Sequence, residues 1–160
     1  PTLSGPSLVT VDATTPSGGV ATFDVTATDD VTPTPGVTCD PPSGNVFPMG
    51  DTVVTCTASD EAGNTATMTL TVHVRDAAEQ LANLQADVHA LGLRPVLALT
   101  LQAELQGAQA AVAAGKPRPA CAALGLFAAE VRLASGRGIP AAEAADLVAA
   151  ANRIRAVLGC

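Results

Sequence analysis

A chain of 160 residues with three phenylalanines and neither tyrosine nor tryptophan lacks the large aromatic anchors used to stack on bases or sugars. Its net charge of −7 lies entirely in residues 1–75, which carry eight acids against one base, whereas residues 76–160 carry seven of each. The acidic first half repels phosphate backbones and anionic membranes, which excludes nucleic acid as a partner and leaves a cationic partner or a divalent ion.

The opening PTLSGPSLVT has no basic segment followed by an apolar core, so the chain is expected to be a processed product or an excised part of a longer protein. Strand periodicity follows. Ala21, Phe23, Val25 and Ala27 alternate with Thr22, Asp24, Thr26 and Thr28. Val54, Cys56 and Ala58 alternate with Val53, Thr55 and Thr57, and Met68, Leu70, Val72 and Val74 with Thr67, Thr69, Thr71 and His73. Period two with threonine on the solvated side predicts half-buried antiparallel strands. Shorter strands are expected near residues 7–13 and 36–39. TPSGG, DDVTPTPG and PPSGN read as turns between them. Several short strands in about 75 residues predict a β-sandwich.

Four cysteines without a CxxC pair argue for two disulfides and an oxidising compartment over zinc or redox chemistry. Cys56 shares the inward phase of Val54 and Ala58, and Cys39 that of Val37, so these two are expected to pair in the core.

From Asp76 the period becomes helical. Leu81, Leu84, Val88 and Leu91 step by three and four, as do Leu97 to Val112, Leu124 to Ala134, and Leu147 to Leu158. Each run stops at a glycine: Gly92, Gly115, Gly136 and Gly159. Four amphipathic helices with short connections predict an up-and-down bundle over 76–160. Cys121 near the start of the third helix and Cys160 just past the fourth are expected to staple its open end. Pro140 suits a first helical position, and GKPRPA reads as a stiff basic connector. The boundary VHVRDAAEQ has no Gly, Pro or Ser run, which predicts limited mobility between the halves. The longest apolar run, ACAALGLFAA, is about ten residues against the roughly 20 of a spanning helix, so no membrane insertion is expected.

The densest group of polar ligands is CTASDEAGNT. A hairpin must reverse there, and Asp60, Gly63 and Asn64 are turn residues. A calcium site is the second reading; it needs six to eight oxygens, with Asp29 and Asp30 joining Asp60, Glu61 and Asn64 from another loop. His73 and His89 fall in different halves and read as solvated or rim histidines. Arg132, Arg153 and Arg155 read as solvent-facing on the bundle. No serine sits in a nucleophile elbow and no carboxylate pair faces a cleft, so no catalytic residue and no other cofactor is assigned.

Residues 37–74, VTCDPPSGNVFPMGDTVVTCTASDEAGNTATMTLTVHV, resemble the hyalin repeat (HYR) module: a cysteine before a Pro-Ser-Gly turn, a Phe-Pro-x-Gly corner, a TVVTC strand, then Asp-x-x-Gly-Asn and an alternating strand. The upstream PSGGVATFDVTATD extends the resemblance over residues 1–75. Leu70 stands where the family more often has phenylalanine. The resemblance implies an immunoglobulin-like sandwich, an extracellular adhesion or spacing role and no catalysis. Residues 120–160 are similar to a helical module of secreted bacterial proteins called FIMAH, with Ile139-Pro140 where a Thr or Ser usually opens the last helix. Seven arginines against one lysine and abundant alanine point to a GC-rich bacterial genome. The expectation is therefore a secreted or cell-surface, non-catalytic interaction segment meeting a protein or cell-surface partner. The alternatives are an appendage of a secreted enzyme and a self-assembling subunit.

Overall fold

The computed structural model describes residues 1–31 and 34–160; Thr32 and Pro33, in the DDVTPTPG turn, lie outside the described residues. Two compact units emerge, one from Pro1–Asp12 and Ser17–Val74, the other from Ala13–Pro16 and Arg75–Cys160.

The first unit is strand-rich. Its strands are β1 (Thr2–Ser4), β2 (Leu8–Asp12), β3 (Gly19–Val20), β4 (Thr26–Thr28), β5 (Gly36–Asp40), β6 (Val46–Phe47), β7 (Gly50–Ser59) and β8 (Thr65–Arg75). The central sheet has the order β2-β8-β7-β5, and β1-β4 and β3-β6 form separate pairs. The strands are thus hydrogen-bonded in three sets in the unit for which a β-sandwich was expected.

The long β7–β8 hairpin keeps one antiparallel register from Gly50↔Val74 to Ser59↔Thr65. Its phase follows the alternation in the sequence: Val54, Cys56, Ala58, Leu70, Val72 and Val74 are buried, while Thr55, Thr67 and Thr69 are exposed. A one-residue slip would send the apolar set to water, so burial fixes the pairing. Cys39 and Cys56 are directly opposed in the β5–β7 ladder and form a disulfide. Phe47 is buried and meets Phe23 edge-on with ring centroids 6.3 Å apart, an arrangement aromatic quadrupoles favour.

Residues 21–28, expected as one strand, pair as a strand only over β4. Residues 21–25 keep the alternating burial but find other partners. Ala21 N–H donates to the Asn45 carbonyl, and the Ser43 hydroxyl bonds both Phe23 N–H and Phe23 C=O at 2.8 Å. The serine of PPSGN therefore stands in for a neighbouring strand. Gly18 is demanded by space: with φ at +124°, a Cβ there would lie 1.9 Å from the Phe47 carbonyl oxygen.

The second unit is a four-helix bundle of α1 (Ala77–Ala90), α2 (Pro95–Ala113), α3 (Pro117–Ala134) and α4 (Ala141–Val157). Each helix packs on the next, and α4 returns to α1. From the set read from the period, Leu81, Leu84, Leu101, Leu105, Leu124, Phe127, Leu147 and Ile154 are buried, while Leu91, Leu97, Val112, Ala134 and Leu158 are half-buried. All four terminating glycines adopt positive φ, between 57° and 80°, where any side chain would be strained. Asp76 and Glu79 close α1 with a capping box, each side chain accepting from the other's backbone N–H. The Cys121–Cys160 disulfide joins the first turns of α3 to the residues just after α4.

Two local expectations are corrected. GKPRPA is not a connector, because Pro117 opens α3 and only Gly115 and Lys116 link the helices; proline at a first position sacrifices no hydrogen bond. Pro140 is the N-cap of α4, one residue before the first helical position.

A buried amide organises the second unit. Gln80, 3% exposed, donates from Nε2 to the Ala13 and Arg75 carbonyls at 3.0 Å each and accepts from Arg153 Nε at 3.1 Å. Arg153, expected to face solvent, is drawn inward by this bond. Burying an amide is favourable only when its hydrogen-bonding groups are matched, which the arrangement achieves.

Glu104 on α2 is the counterexample. Its Oε2 is buried without a partner, and burial, reinforced by the nearby Glu130 charge from α3, holds its carboxyl above the ordinary value. A carboxyl raised in this way costs stability when ionised, and the cost disappears as pH falls through the folded-state pKa towards the unfolded value of 4.5. Glu104→Gln is therefore expected to raise the melting temperature of the helical unit at pH 7 by about 2–4 °C, or roughly 0.5 kcal/mol after solvent screening. The gain should vanish at about pH 4 in calorimetry. Cys39→Ala is expected to cost the strand-rich unit about 3 kcal/mol in urea unfolding, through the lost loop constraint.

Candidate functional site

The polar cluster of residues 60–64 connects β7 to β8. Asp60 N–H donates to the Asn64 carbonyl at 3.1 Å and Gly63 N–H to the Asp60 carbonyl at 3.2 Å, while Gly63 takes φ of +85°. Both carboxylate oxygens of Asp60 are engaged by one residue: Oδ1 accepts from Asn64 N–H and Oδ2 from Asn64 Nδ2, each at 2.7 Å. These bonds, the Asn64 side chain foremost, hold the Asp60 carboxyl below its ordinary value. The turn closes on itself through charge-assisted hydrogen bonds.

The Asp29 charge opposes that shift. Its Oδ1 lies 3.2 Å from the Pro1 nitrogen, and its Oδ2 accepts from Val31 N–H at 3.4 Å. Asp30 and Glu61 are exposed beside these groups. Among the described residues, no three His, Cys, Asp or Glu side chains are placed to hold a metal ion. Each Asp60 oxygen accepts one of the Asn64 bonds, so the carboxylate is engaged within its own turn.

His73, read as solvated, is paired across the hairpin. It faces Asp51 in the β7–β8 register and bonds it through Nδ1. A hydrogen bond between directly opposed side chains makes this a cross-strand pair, the sheet counterpart of a helical i,i+4 pair. The two residues are 22 apart in sequence, so only the hairpin register reveals the pairing. His89 is exposed on α1, in the other unit.

In the helical unit, an open groove of about 340 Å³ lies between α1 and α4, lined by Asp87, Glu143 and Asp146 over Ala90, Leu91 and Leu147. Its titratable lining is three carboxylates, with no serine, cysteine, lysine or histidine among the lining residues. Among the described residues, no helix is long and apolar enough to cross a membrane.

The features that position the first unit's core are the opposed cysteines, the Ser43 turn, the buried Phe47 before Gly50, and the Asp60–Asn64 closure. Residues 1–74 match the HYR domain family. The HYR match thus covers the strand-rich unit and leaves the four-helix bundle outside it. Comparison with curated proteins and with solved structures gave no match.

Because the Asp60 carboxyl is lowered on folding, its contribution to stability is in place above the unfolded value of 3.8 and is lost as pH falls through the folded value. Asp60→Ala is expected to flatten the acid limb of the strand-rich unit's stability profile below about pH 4, followed by urea unfolding at each pH. Millimolar calcium is expected to leave the melting temperature where chelator leaves it.

Proposed function

We propose that this chain is a non-catalytic adhesion and spacer segment of a secreted or cell-surface bacterial protein. In this reading residues 1–75 form an immunoglobulin-like sandwich and residues 76–160 a FIMAH-like terminal module that meets a protein or cell-surface partner. The observation that carries the reading is the HYR match over residues 1–74, a domain associated generally with extracellular adhesion. Two disulfides add support, since such bonds persist in oxidising compartments. The acidic hairpin end then serves as a closure of the fold, and its oxygens need no ion to be satisfied.

A spacer must resist extension. The Cys39–Cys56 bond spans 17 residues, which at about 3.5 Å each removes roughly 60 Å from the extensible length. In single-molecule pulling, the strand-rich unit is expected to yield at higher force than the helical unit, and reductant is expected to add about 60 Å to its length gain. Yielding of the strand-rich unit before the helices would remove the spacer role.

A further inference from the structure

The two disulfides stand in different surroundings. Cys39 and Cys56 face each other inside the β5–β7 ladder, flanked by the Thr38↔Thr57 and Asp40↔Thr55 pairs. Cys56 is fully buried and Cys39 half-buried. A thiol reaches that bond only when the ladder opens, at a cost set by the stability of the strand-rich unit. Cys121 and Cys160 join helical segments instead, and no strand ladder encloses them. Cys160 is exposed and follows Gly159, whose φ of +80° ends the turn after α4, while Cys121 is half-buried in α3.

The two sulfurs of this second bond are unequal. In thiol–disulfide exchange a thiolate attacks one sulfur and the other departs as a thiolate, so access decides the first and charge the second. Cys160 offers access: it is exposed, with its Sγ 3.2 Å from the Arg155 carbonyl oxygen. Cys121 suits departure. Arg118, also exposed, precedes it by three residues, which makes the two neighbours on one face of α3. A guanidinium beside a sulfur favours its ionised form. Residues 105–129 and 147–160, the stretches that bear the two cysteines, hold four bases (Lys116, Arg118, Arg153 and Arg155) and no acid. The acids of the α1 start, Asp76 and Glu79, accept each other's backbone N–H in the capping box.

We propose that Cys160 is a site of reversible S-thiolation by low-molecular-weight thiols. The thiolate RS⁻ attacks Cys160 Sγ, the Cys121–Cys160 bond breaks, an RS–S bond to Cys160 forms, and Cys121 leaves as a thiolate. One disulfide is exchanged for another, so charge and electrons balance and no oxidant is consumed. All four cysteines of the chain are disulfide-bonded, so the attacking thiol comes from outside it. The reverse step is intramolecular: Cys121 attacks Cys160 and expels RS⁻, so the adduct persists while thiol is in excess and closes when thiol is removed. Opening this bond releases a constraint between residues 39 apart in sequence, and the thiolated helical unit melts at a lower temperature than the closed one. The inference does not depend on the adhesion reading, which a chain inert to thiols would leave intact.

Reduced glutathione is the probe, at about 5 mM and about pH 8, where a useful fraction of a thiol is ionised. The full oxidised chain is sampled early, before a second thiol resolves the adduct, quenched with acid and mapped by mass spectrometry. The first product is expected to carry glutathione on Cys160 and a free thiol on Cys121, with Cys39–Cys56 intact. Native Cys121–Cys160 is expected to react on the order of a hundredfold faster than Cys39–Cys56, and in denaturing urea the two should react at similar rates. An unquenched sample moved to thiol-free buffer should shed glutathione and regain the mass of the parent. Glutathione on Cys121 in preference to Cys160 overturns the proposal. So does equal loss of both disulfides from the native chain, or loss of Cys121–Cys160 with no adduct on Cys160. A Cys121–Cys160 bond that survives a day of this treatment overturns it as well.

Discussion

A covalent bond between two directly opposed residues, Cys39 on β5 and Cys56 on β7, sets the frame on which the strand-rich unit is built. Its core is made largely of valine, alanine and leucine, with Phe47 its one large buried aromatic. Such side chains fill space without the shape-specific interlocking that larger rings provide. Register must then be held by other means, and a bond between opposed residues removes the neighbouring alternatives outright. Once β5 and β7 are aligned, the hairpin carries the same phase to β8. The pairs Val54↔Leu70 and Cys56↔Met68 follow from the turn at residues 60–64.

The helical unit solves the same shortage differently. Its core also relies on alanine and leucine, but a satisfied buried amide adds directional restraint. Gln80 has both donors and its acceptor engaged by groups from three places in the sequence: Ala13, Arg75 and Arg153. Replacing it with an apolar residue would remove a donor from the Ala13 and Arg75 carbonyls, the second of which would keep Ala13 N–H, and would leave Arg153 Nε without this acceptor. Glu104 shows the converse, a half-buried oxygen without a match beside a like charge. Satisfaction at one position and its absence at another mark where this bundle is rigidly specified and where it is strained electrostatically.

Periodicity disclosed most of the architecture because each half obeys a single rule. The helical core positions and all four terminating glycines were legible, since a 3.6-residue stripe followed by glycine has few other meanings. The inward phase of β7 and β8, and with it the Cys39–Cys56 pairing, was legible for the same reason. The Asp76-x-x-Glu79 capping box was visible in the sequence and passed over. What could not be read was long-range exchange of backbone partners. Residues 21–25 alternate as a strand does, yet a serine 20 residues away in sequence supplies the hydrogen bonds. The Asp51–His73 pair and the inward pull on Arg153 depend likewise on which residues become neighbours only after folding. For the acidic turn, residue types left both turn and ion open, and the bonds from Asn64 to both Asp60 oxygens form only once the hairpin has reversed.

The Ser43 hydroxyl has a meaning beyond local satisfaction. Extended segments with unpaired N–H and C=O groups invite strands from other molecules, which is how β-rich proteins aggregate. At Phe23 both groups are already occupied by one side-chain oxygen, at no greater distance than a strand partner would take. A single serine therefore occupies both backbone groups of one residue in a stretch that has the alternation of a sheet edge, beside the exposed charge of Asp24. At that residue the extended backbone is closed to a foreign strand.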